Sequence, residues 1–531
     1  MHQLDVLIVG AGFGGLYMLH KARELGLHAL AIDSAPSVGG TWWHNRYPGA
    51  RVDIQSLEYS FSFSEALQQQ WHWTERYASQ PELLRYANHV ADRFNLRSNI
   101  LLDTRLASAS WTEADQRWHA VAASGQQWWP RFLVMACGGL STSNTPALPG
   151  LDSFAGRVLH TAHWPHEPVD FSGQRVGVIG TGSSGVQVIP AIARQADRVT
   201  VFQRTAAYVV PAHNGPLDPV YEAHIKADYG GFRARNRLMR TGFGSQLPQG
   251  AASALVASPG ELASEFEKRW QIGGFALLGA FADLMTDLRA NALAAEFVRD
   301  KVRNTVHDPV TAALLCPRQP IGCKRLCVDS SGYLETFNQP QLQLVDVARK
   351  PIEAVTPHGL RAGGQDHALD MLVLATGFDA LTGSLLKLDL RGSAGLPIQH
   401  KWRHGPLTQL GLMTAGFPNL FHLAGPGSAA AFTNVMVSIE HHVQWIADCM
   451  VHLLGRGLRS IEAREDAEAA WTAHLNAVAQ QTVFLSCNSW YLGANIAGKP
   501  RMFMALAGGF PPYVERCAAV AEAGDEGFTV Q

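Results

Sequence analysis

Two segments of the chain repeat one plan: a short apolar strand, a glycine-rich turn and an amphipathic helix. They are DVLIVGAGFGGLYMLHKAREL at 5–25 and RVGVIGTGSSGVQVIPAIARQ at 175–195. The pattern GxGxxG is formed by Gly10, Gly12 and Gly15 in the first and by Gly180, Gly182 and Gly185 in the second, where Thr181, Ser183 and Ser184 complete the candidate cofactor site. Such glycines allow a tight turn and close approach of the backbone to a pyrophosphate. One match could be purely structural, but two that each follow an apolar strand predict two dinucleotide sites.

The two repeats differ in the residues at the end of their second strand. HALAIDSAP places Asp33 about 20 residues after the first turn, the usual position of a carboxylate that binds ribose hydroxyls. RVTVFQRTA carries Gln203, Arg204 and Thr205 at the matching position, and no acid. A carboxylate there would repel a 2′-phosphate, whereas an arginine fork binds one. The first site therefore suits FAD or NAD and the second suits NADP, unless Arg204 is only an exposed charge at a strand end.

Charge and hydropathy patterning exclude several classes of protein. The chain has 531 residues, 47% apolar and 17% charged, with a formal net charge of −2. This composition predicts a globular protein of about two to four domains. The basic residues form no long run, so nucleic acid is not an expected partner. Apolar runs are too short for a membrane span, and a strand begins too early for a signal peptide. We expect a cytoplasmic protein, a monomer or weak oligomer.

The cysteines predict neither a disulfide framework nor a metal site. There are seven, an odd number, at Cys137, Cys316, Cys323, Cys327, Cys449, Cys487 and Cys517. No CxxC pair occurs, and Cys323 with Cys327 has no second pair to complete a zinc site. The expectation is free thiols in a reducing compartment, with no bound metal.

The pattern of apolar runs and linkers divides the chain into five parts. Apolar runs that end in small residues at 131–151 and 368–380 are typical of strands closing a dinucleotide unit, and the stretch between 212 and 315 has helical spacing. The expected parts are 1–145 (FAD-binding, first part), 146–211 (NADP-binding, first part), 212–315 (helical insertion), 316–379 (NADP-binding, second part) and 380–531 (FAD-binding, second part, with the substrate and lid region). The predicted class is α/β with two Rossmann-like units.

Two sites of different preference point to electron transfer from NADPH to a flavin, which leaves reductases, amine hydroxylators and ketone oxygenases open. FAGRVLHTAHWP at 154–165 separates these. By itself it could be an apolar plug, but it resembles the FxGxxxHxxxW(P/D) fingerprint of Baeyer–Villiger monooxygenases. The resemblance covers nearly the whole chain, through GGTWWHNRYPGARVDIQSLEYSFSF, VFQRTAAYVVPA, GCKRLCVDSSGYLETFNQP, ATGFDALTG, FPNLFHLAGPGS and NSWYLGANIAGKP.

The resemblance implies an FAD- and NADPH-dependent enzyme that uses O2 to insert oxygen beside a ketone carbonyl through a C4a-peroxyflavin, giving an ester or lactone. It implies that Arg325 stabilises the reacting anions, that Asp53 orients Arg325, and that Lys324 binds the 2′-phosphate. Small-molecule ketone and O2 are thus the expected partners. His160 of the fingerprint matches a connector residue, not a proton-transfer group.

The remaining carried-over positions surround the cofactors. Gly39, Gly40, Thr41 and Trp42 match a flavin-contacting turn, and Tyr59 matches a tyrosine beside the flavin phosphates. Without the resemblance, Trp42 and Tyr59 would be ordinary core aromatics. Trp490 matches a tryptophan that contacts NADP from a mobile loop, which makes it a lid candidate.

The chain departs from the family pattern at two places. His44 stands where a tryptophan is usual, and the small residues Ala429, Ala430 and Ala431 follow GPGS. The small side chains favour room for a large or bulky ketone. Two rival functions remain: a heteroatom oxygenase for sulfides or amines, and a sensor that binds both cofactors without oxygenating. Loss of Arg325 or Asp53 would mark the sensor, and both residues are present.

Overall fold

The protein, described over residues 3–531 in a computed structural model, is a mixed α/β molecule built around two large sheets. Met1 and His2, which begin the predicted N-terminal segment, lie outside the described residues. The predicted class of an α/β protein with two Rossmann-like units is confirmed. We call the part built on the first sheet the first unit and the part built on the second sheet the second unit.

The N-terminal part contains β1 (Gln3–Val9), α1 (Phe13–Glu24), β2 (Ala29–Ile32), α2 (Thr41–His44), α3 (Glu65–Gln70), α4 (Gln80–Arg93), β3 (Ile100–Leu101), β4 (Leu106–Thr112), β5 (Arg117–Ala122) and β6 (Gln127–Met135). Next come β7 (Arg157–His160), β8 (Arg175–Ile179), α5 (Ser183–Ala193), β9 (Arg198–Gln203) and β10 (Val209–Pro211). The helices after them are α6 (Pro219–Ala227), α7 (Tyr229–Arg237), α8 (Pro259–Ile272), α9 (Leu288–Thr305) and α10 (Pro309–Leu315).

The second half returns to both sheets. Its first elements are β11 (Cys327–Asp329), α11 (Tyr333–Thr336), β12 (Leu342–Asp346), β13 (Ile352–Thr356), β14 (Gly359–Ala362), β15 (Gln365–Ala368) and β16 (Met371–Leu374). The last are α12 (Gly383–Leu386), β17 (Asp389–Arg391), α13 (Ile398–Lys401), β18 (Leu420–His422), α14 (Val435–Gly455), β19 (Ile461–Ala463), α15 (Glu465–Gln480), α16 (Phe510–Glu522) and β20 (Phe528–Val530). Short 3-10 turns, among them Ala429–Ala431 and Trp490–Leu492, join several of these.

The first sheet has the strand order β17-β4-β5-β6-β1-β2-β3, and β18 also pairs with β6. Strands β6, β1, β2 and β3 run parallel, while β4 and β5 form an antiparallel excursion. Val6, Leu7 and Ile8 on β1 are fully buried. Burial on both sides explains why this strand reads as a continuous apolar run and not as an alternating one.

The second sheet has the order β12-β9-β8-β16-β7, and all of its strands are parallel. Its first βαβ segment is β8, α5 and β9, which places GTGSSG at the carboxyl end of β8. Ligands of open parallel sheets bind at that edge. The fingerprint segment enters this sheet through β7, whose last residue is His160.

Helices α6 to α10 occupy 219–315, and the apolar faces of α8 and α9 share a core with strands β10 and β11. Tyr77 of the first unit belongs to the same core, so the helical segment bridges the two units. Helices α6 and α7 pack on the core of the first unit, and α10 packs on the core of the second. From 380 onward the chain rejoins the first sheet, and α14 packs against α1. Within residues 3–531, each helix is too short or too polar to cross a bilayer.

The expectation that all seven cysteines are free thiols is wrong. Cys323 and Cys487 form a disulfide, with Cα atoms 6.1 Å apart, and the five others are free. The two partners are separated by 164 residues in sequence. A pairing of that kind arises from the fold, because two distant loops meet in space, and no local spacing announces it.

Candidate active site

The first glycine-rich turn is closed by contacts that leave no room for side chains. Gly10 has φ +114°, and a Cβ there would lie 2.5 Å from the carbonyl oxygen of Ala136, just beyond β6. A Cβ on Gly15 would lie 1.8 Å from the carbonyl oxygen of Gly10. Both distances are far below van der Waals contact, so only glycine allows this turn to pass so close to the sheet and the helix.

The second turn repeats this geometry. Gly180 has φ +109°, and a Cβ there would lie 2.4 Å from the carbonyl oxygen of Ala375; one on Gly185 would lie 2.3 Å from that of Gly180. The hydroxyl of Thr181 donates to the carbonyl oxygen of Thr205 at 3.0 Å, which ties the turn to the end of β9. Ser183 and Ser184 are the first two residues of α5.

Both helix N-termini are suited to receive a pyrophosphate. Gly12 is the N-cap of α1 and Gly182 is the N-cap of α5, and among the described residues no side chain caps either helix. Their first backbone N–H groups therefore keep their hydrogen-bonding capacity for a ligand. A Cβ on Gly182 would meet no protein atom within 4 Å, so the space outside this turn is open. The two turns fit the phosphates of FAD and NADP.

The strand ends carry opposite charges, as the sequence predicts. The Asp33 carboxylate accepts hydrogen bonds from the backbone N–H of Ala11 at 2.6 Å and of Ala35 at 2.9 Å, so it is fixed beside the first turn. Arg204 is exposed beyond β9, and Lys324 lies within its electrostatic reach. The pKa of Lys324 is lowered by burial and, second, by the charge of Arg204. A phosphate dianion between these cations would relieve their repulsion.

The turn after β2 lies directly on the first glycine turn. Gly40 has φ +53°, and a Cβ there would lie 3.0 Å from the Cα of Gly12. Thr41 is the exposed first residue of α2. Trp42 is buried and meets Tyr59 edge to face, with ring centroids 5.9 Å apart. The predicted flavin-contacting residues are thus grouped beside one turn.

The structure brings Asp53 and Arg325 together although 272 residues separate them in sequence. The Nε and Nη2 groups of Arg325 donate to Oδ2 of Asp53 at 3.0 and 2.5 Å. Nη1 donates to the carbonyl oxygen of Ala431 at 3.4 Å, and the ring of Phe275 lies 4.7 Å from the guanidinium carbon. Burial disfavours the charge, but the Asp53 carboxylate outweighs it and raises the pKa of Arg325. The result is a fixed, permanently charged cation.

A contact between the two units places Asp53 opposite Arg325. The hydroxyl of Tyr47 donates to Oε1 of Gln187 on α5 at 2.8 Å, and the Gln187 amide donates to the carbonyl oxygen of Arg51 at 3.1 Å. Gly49 lies between them with φ +85°, and a Cβ there would lie 2.4 Å from the backbone oxygen of Gln187. The RYPGAR turn of the first unit therefore lies flat on the first helix of the second.

The loop at 488–500 covers the same region from the C-terminal side. Tyr491 is buried, packs on Phe432 with ring centroids 4.6 Å apart, and lies within electrostatic reach of Arg325. Trp490 instead packs with Ala380, Leu381 and Met504. The structure thus brings Tyr491 to the arginine, and a role of Trp490 in binding NADP stays a prediction.

The fingerprint histidine joins the crossing linker to the second sheet. His160 is buried, and its Nδ1 accepts from the backbone N–H of Ala162 at 3.0 Å. Its Nε2 lies 3.4 Å from the carbonyl oxygen of Asn144 and 3.3 Å from the hydroxyl of Thr376. Because Nδ1 accepts, Nε2 carries the proton and donates. These contacts suit a connector, and they leave no nitrogen free for proton transfer to a substrate.

Four groups of the site have no sequence-based prediction: the Phe275 ring, the Ala431 carbonyl and Tyr491 beside Arg325, and Gln187 beside the 47–53 segment. Phe275 lies in an ordinary apolar run of the helical segment, and a backbone carbonyl has no sequence signal at all. Tyr491 had one signal, its place beside Trp490 in a segment that the resemblance had already marked.

The two glycine-rich turns have strand ends of opposite charge, and a fixed cation lies where the two units meet. These features are typical of a class of protein, the flavin-dependent oxidoreductases that take their electrons from NADPH. Residues 7–229 match the family model described as pyridine nucleotide-disulphide oxidoreductase. A Baeyer–Villiger monooxygenase of Pseudooceanicola batsensis is 42% identical, covering 99% of this chain and 95% of that protein. A phenazine N-monooxygenase of Lysobacter antibioticus is 40% identical, covering 99% and 96%.

Among solved structures, an oxidised steroid monooxygenase bound to NADP superimposes with a TM-score of 0.94 at 46% identity, covering 99% of both chains. The chain belongs to the Baeyer–Villiger monooxygenase family. The expectation of an FAD-dependent monooxygenase that consumes NADPH and O2 is confirmed.

Proposed function

We propose that the protein inserts one oxygen atom of O2 beside the carbonyl of an apolar, bulky ketone, giving an ester or lactone. The observation that carries this proposal is the Asp53–Arg325 pair, a guanidinium held by a carboxylate where the two units meet. FAD, when bound, accepts a hydride from NADPH and activates O2. The protein's own side chains then have to hold the ketone, exclude water and stabilise the negative charge that develops during insertion.

Arg325 supplies the charge stabilisation. Its guanidinium is set before the reaction by Asp53 and by the Ala431 carbonyl, so little reorganisation is needed when charge develops. Since the pKa of Arg325 is raised, the cation persists at any working pH. Both side chains are only about a quarter exposed, at 27% for Arg325 and 28% for Asp53, so solvent screens their field incompletely.

The substrate class follows from the residues around this cation. The rings of Phe275 and Tyr491 lie beside the guanidinium, and Phe432 packs on Tyr491, which favours an apolar body on the ketone. The turn Ala429–Ala431 adds only methyl groups there. Small side chains beside aromatic walls leave space for a substituted ring or a bulky chain.

Lys324 and Arg204 would bind the 2′-phosphate of NADPH, and Asp33 would bind a ribose hydroxyl of FAD. Gly10, Gly12 and Gly15 would hold the FAD phosphates with Tyr59 beside them, and Gly40, Thr41 and Trp42 would contact the flavin. In the second unit, Thr205 beside Arg204 and Trp490 on the covering loop would also contact NADP. The NADP phosphates would be held by Gly180, Thr181, Gly182, Ser183, Ser184 and Gly185. The mutual position of Arg204 and Lys324 supports the choice of NADPH over NADH.

Oxidation of a heteroatom is the second candidate, because a phenazine N-monooxygenase aligns with almost the whole chain at 40% identity. One experiment separates the two. Purified protein with FAD and NADPH is offered matched cyclic, aryl and steroid-like ketones, an aryl sulfide and an aromatic N-heterocycle, and products are identified by mass spectrometry. Ester or lactone as the main product supports the proposal, while sulfoxide or N-oxide formed without any ester contradicts it.

A further inference from the structure

The disulfide lies between the two segments that carry the candidate catalytic groups. Cys323 is the residue before Lys324 and two before Arg325, and Cys487 is three before Trp490 and four before Tyr491. The bond therefore links the turn that presents both cations to the loop that covers them.

The other end of the 488–500 loop is held without a covalent bond. The Asn495 side-chain amide donates to the carbonyl oxygen of Phe378 at 2.7 Å. The Lys499 ammonium donates to Oδ1 of Asp379 at 2.5 Å and to the carbonyl oxygen of Ala380 at 2.9 Å. The stretch from 488 to 494 thus runs between a covalent anchor and a hydrogen-bonded one. The carbonyl oxygens of Tyr491 and Leu492 also accept from the backbone N–H groups of Met504 and Met502. Breaking the covalent anchor therefore removes one of several restraints on this stretch and leaves the other end of the loop in place.

Only one of the two sulfur-bearing residues can be reached from solvent. Cys323 is fully buried, whereas Cys487 is partly exposed and its neighbours Ser486 and Asn488 are exposed. A thiolate from outside would attack the sulfur of Cys487, which is the accessible atom, and release the thiol of Cys323 into the interior.

We propose that Cys323–Cys487 is a reversible thiol–disulfide modification site through which a dithiol reductant releases the covering loop from the cation-bearing turn. The dithiol attacks Cys487, a mixed disulfide forms, and the second thiol of the reductant resolves it. Two electrons and two protons pass to the protein sulfurs, which become thiols, while the reductant becomes a cyclic disulfide. A small disulfide such as oxidised glutathione reverses the exchange.

The functional consequence depends on the proposed function. With the bond closed, Tyr491, which packs on Phe432, is held beside Arg325 and limits the entry of water. With the bond open, water reaches the cation more often, so less ester and more hydrogen peroxide should form per NADPH consumed. Oxidised and reduced enzyme would then differ in coupling more than in the rate at which NADPH is consumed.

The test uses the FAD-loaded protein with NADP⁺ present, before and after treatment with dithiothreitol. Alkylation under denaturing conditions should modify five cysteines before reduction and all seven afterwards. Hydrogen exchange of residues 488–494 should become about three- to tenfold faster on reduction, as expected for a segment that opens locally. Cys487→Ser should exchange like the reduced protein and should not respond to reductant. Cys316→Ser, which removes a free thiol, should respond as the unaltered protein does.

Seven alkylated cysteines in protein kept from reductant and then treated with oxidised glutathione would overturn the proposal, because the site would not close. Unchanged exchange after verified reduction would also overturn it, leaving a passive crosslink. Thiol counts and exchange rates need no turnover. A protein that shows both responses but makes no ester from any ketone would therefore refute the proposed function and leave the modification site standing.

Discussion

The two glycine-rich turns have nearly the same backbone geometry, whereas the strand ends beside them carry opposite charges. Gly10 and Gly180 share a φ near +110° and the same close approach to a carbonyl of a neighbouring strand end. Beside the first turn lies the carboxylate of Asp33, and beside the second lie Arg204 and Lys324. The shared backbone is suited in both units to bind a pyrophosphate. We propose that the differing side chains decide which dinucleotide each unit selects. A fold can then be duplicated while its specificity is changed by a few residues.

The largest expected effect is that a side chain added to each glycine-rich turn abolishes a different function: FAD binding for the first turn and reduction by NADPH for the second. In Gly15→Ala the new Cβ would lie 1.8 Å from the Gly10 oxygen, so the first turn must move, and we expect protein that purifies without FAD. In Gly185→Ala the corresponding distance is 2.3 Å, and we expect yellow protein that NADPH no longer reduces. Absorbance spectra and anaerobic reduction measure both. Gly14→Ala is the control, because its Cβ would make an ordinary 3.5 Å contact with Leu423. Normal FAD content in Gly15→Ala would contradict the assignment.

The next effect concerns the cation that the second unit presents to the first. Arg325→Ala should keep its FAD and be reduced by NADPH, while ester formation falls by ~10²–10³, the usual cost of removing one preorganised charge-stabilising group. Arg325→Lys should recover little, because an ammonium cannot reproduce the fork held by Asp53. Asp53→Ala should lower ester formation by a smaller factor, because the arginine is still present but is no longer oriented. Product yield per NADPH is the readout, and Arg349→Ala, a largely exposed arginine, is the control. Ester formation near the unaltered rate in Arg325→Ala would leave that residue a structural role only.

A smaller effect tests the charge at the second strand end. Each charge-assisted contact to the 2′-phosphate contributes about 1.5–3 kcal/mol, so Arg204→Ala should weaken NADPH by ~10- to 150-fold. NADH lacks that phosphate and should be affected little. Dissociation constants for both cofactors, measured by flavin reduction or titration, give the comparison. Equal losses for NADPH and NADH would show that Arg204 does not contact the phosphate.

The smallest expected effect is a dependence of NADPH affinity on pH. Burial and Arg204 lower the pKa of free Lys324 below its ordinary 10.5, and a bound phosphate would raise it again. From about pH 7 upward, where the 2′-phosphate is a dianion, NADPH affinity should be constant until the pKa of the free lysine and fall as pH rises through it, by at most about tenfold per pH unit. NADH affinity should not change over the same range. In Lys324→Met the NADPH profile should become flat, and persistence of the slope in that variant would assign it to another group.

What could be predicted from sequence depends on how far apart the cooperating residues lie. The turns, Asp33 and Arg204 were found because a strand, a turn and a charge succeed one another within about 30 residues, and local sterics fix their arrangement. The roles of Asp53 and Arg325 came only from family resemblance, since 272 residues separate them. Phe275 has no sequence signal, and Tyr491 has only its place beside Trp490, because packing against a guanidinium needs no particular spacing. The free-thiol expectation failed for the same reason: the Cys323–Cys487 pairing is created by the tertiary fold.

The hydrogen bond from Tyr47 to Gln187, with Gly49 flattened against the same helix, has a consequence for anyone who recombines this protein with a relative. In the proposed assignment each unit binds its own nucleotide, whereas the position of Asp53 depends on the contact between the two units. A chimera whose crossover falls between the 47–53 segment and its docking partner on α5 would inherit two sound cofactor sites and a misaligned carboxylate. Such a protein would consume NADPH and return peroxide. The segment at 47–53 and helix α5 should therefore be taken together from the same parent protein.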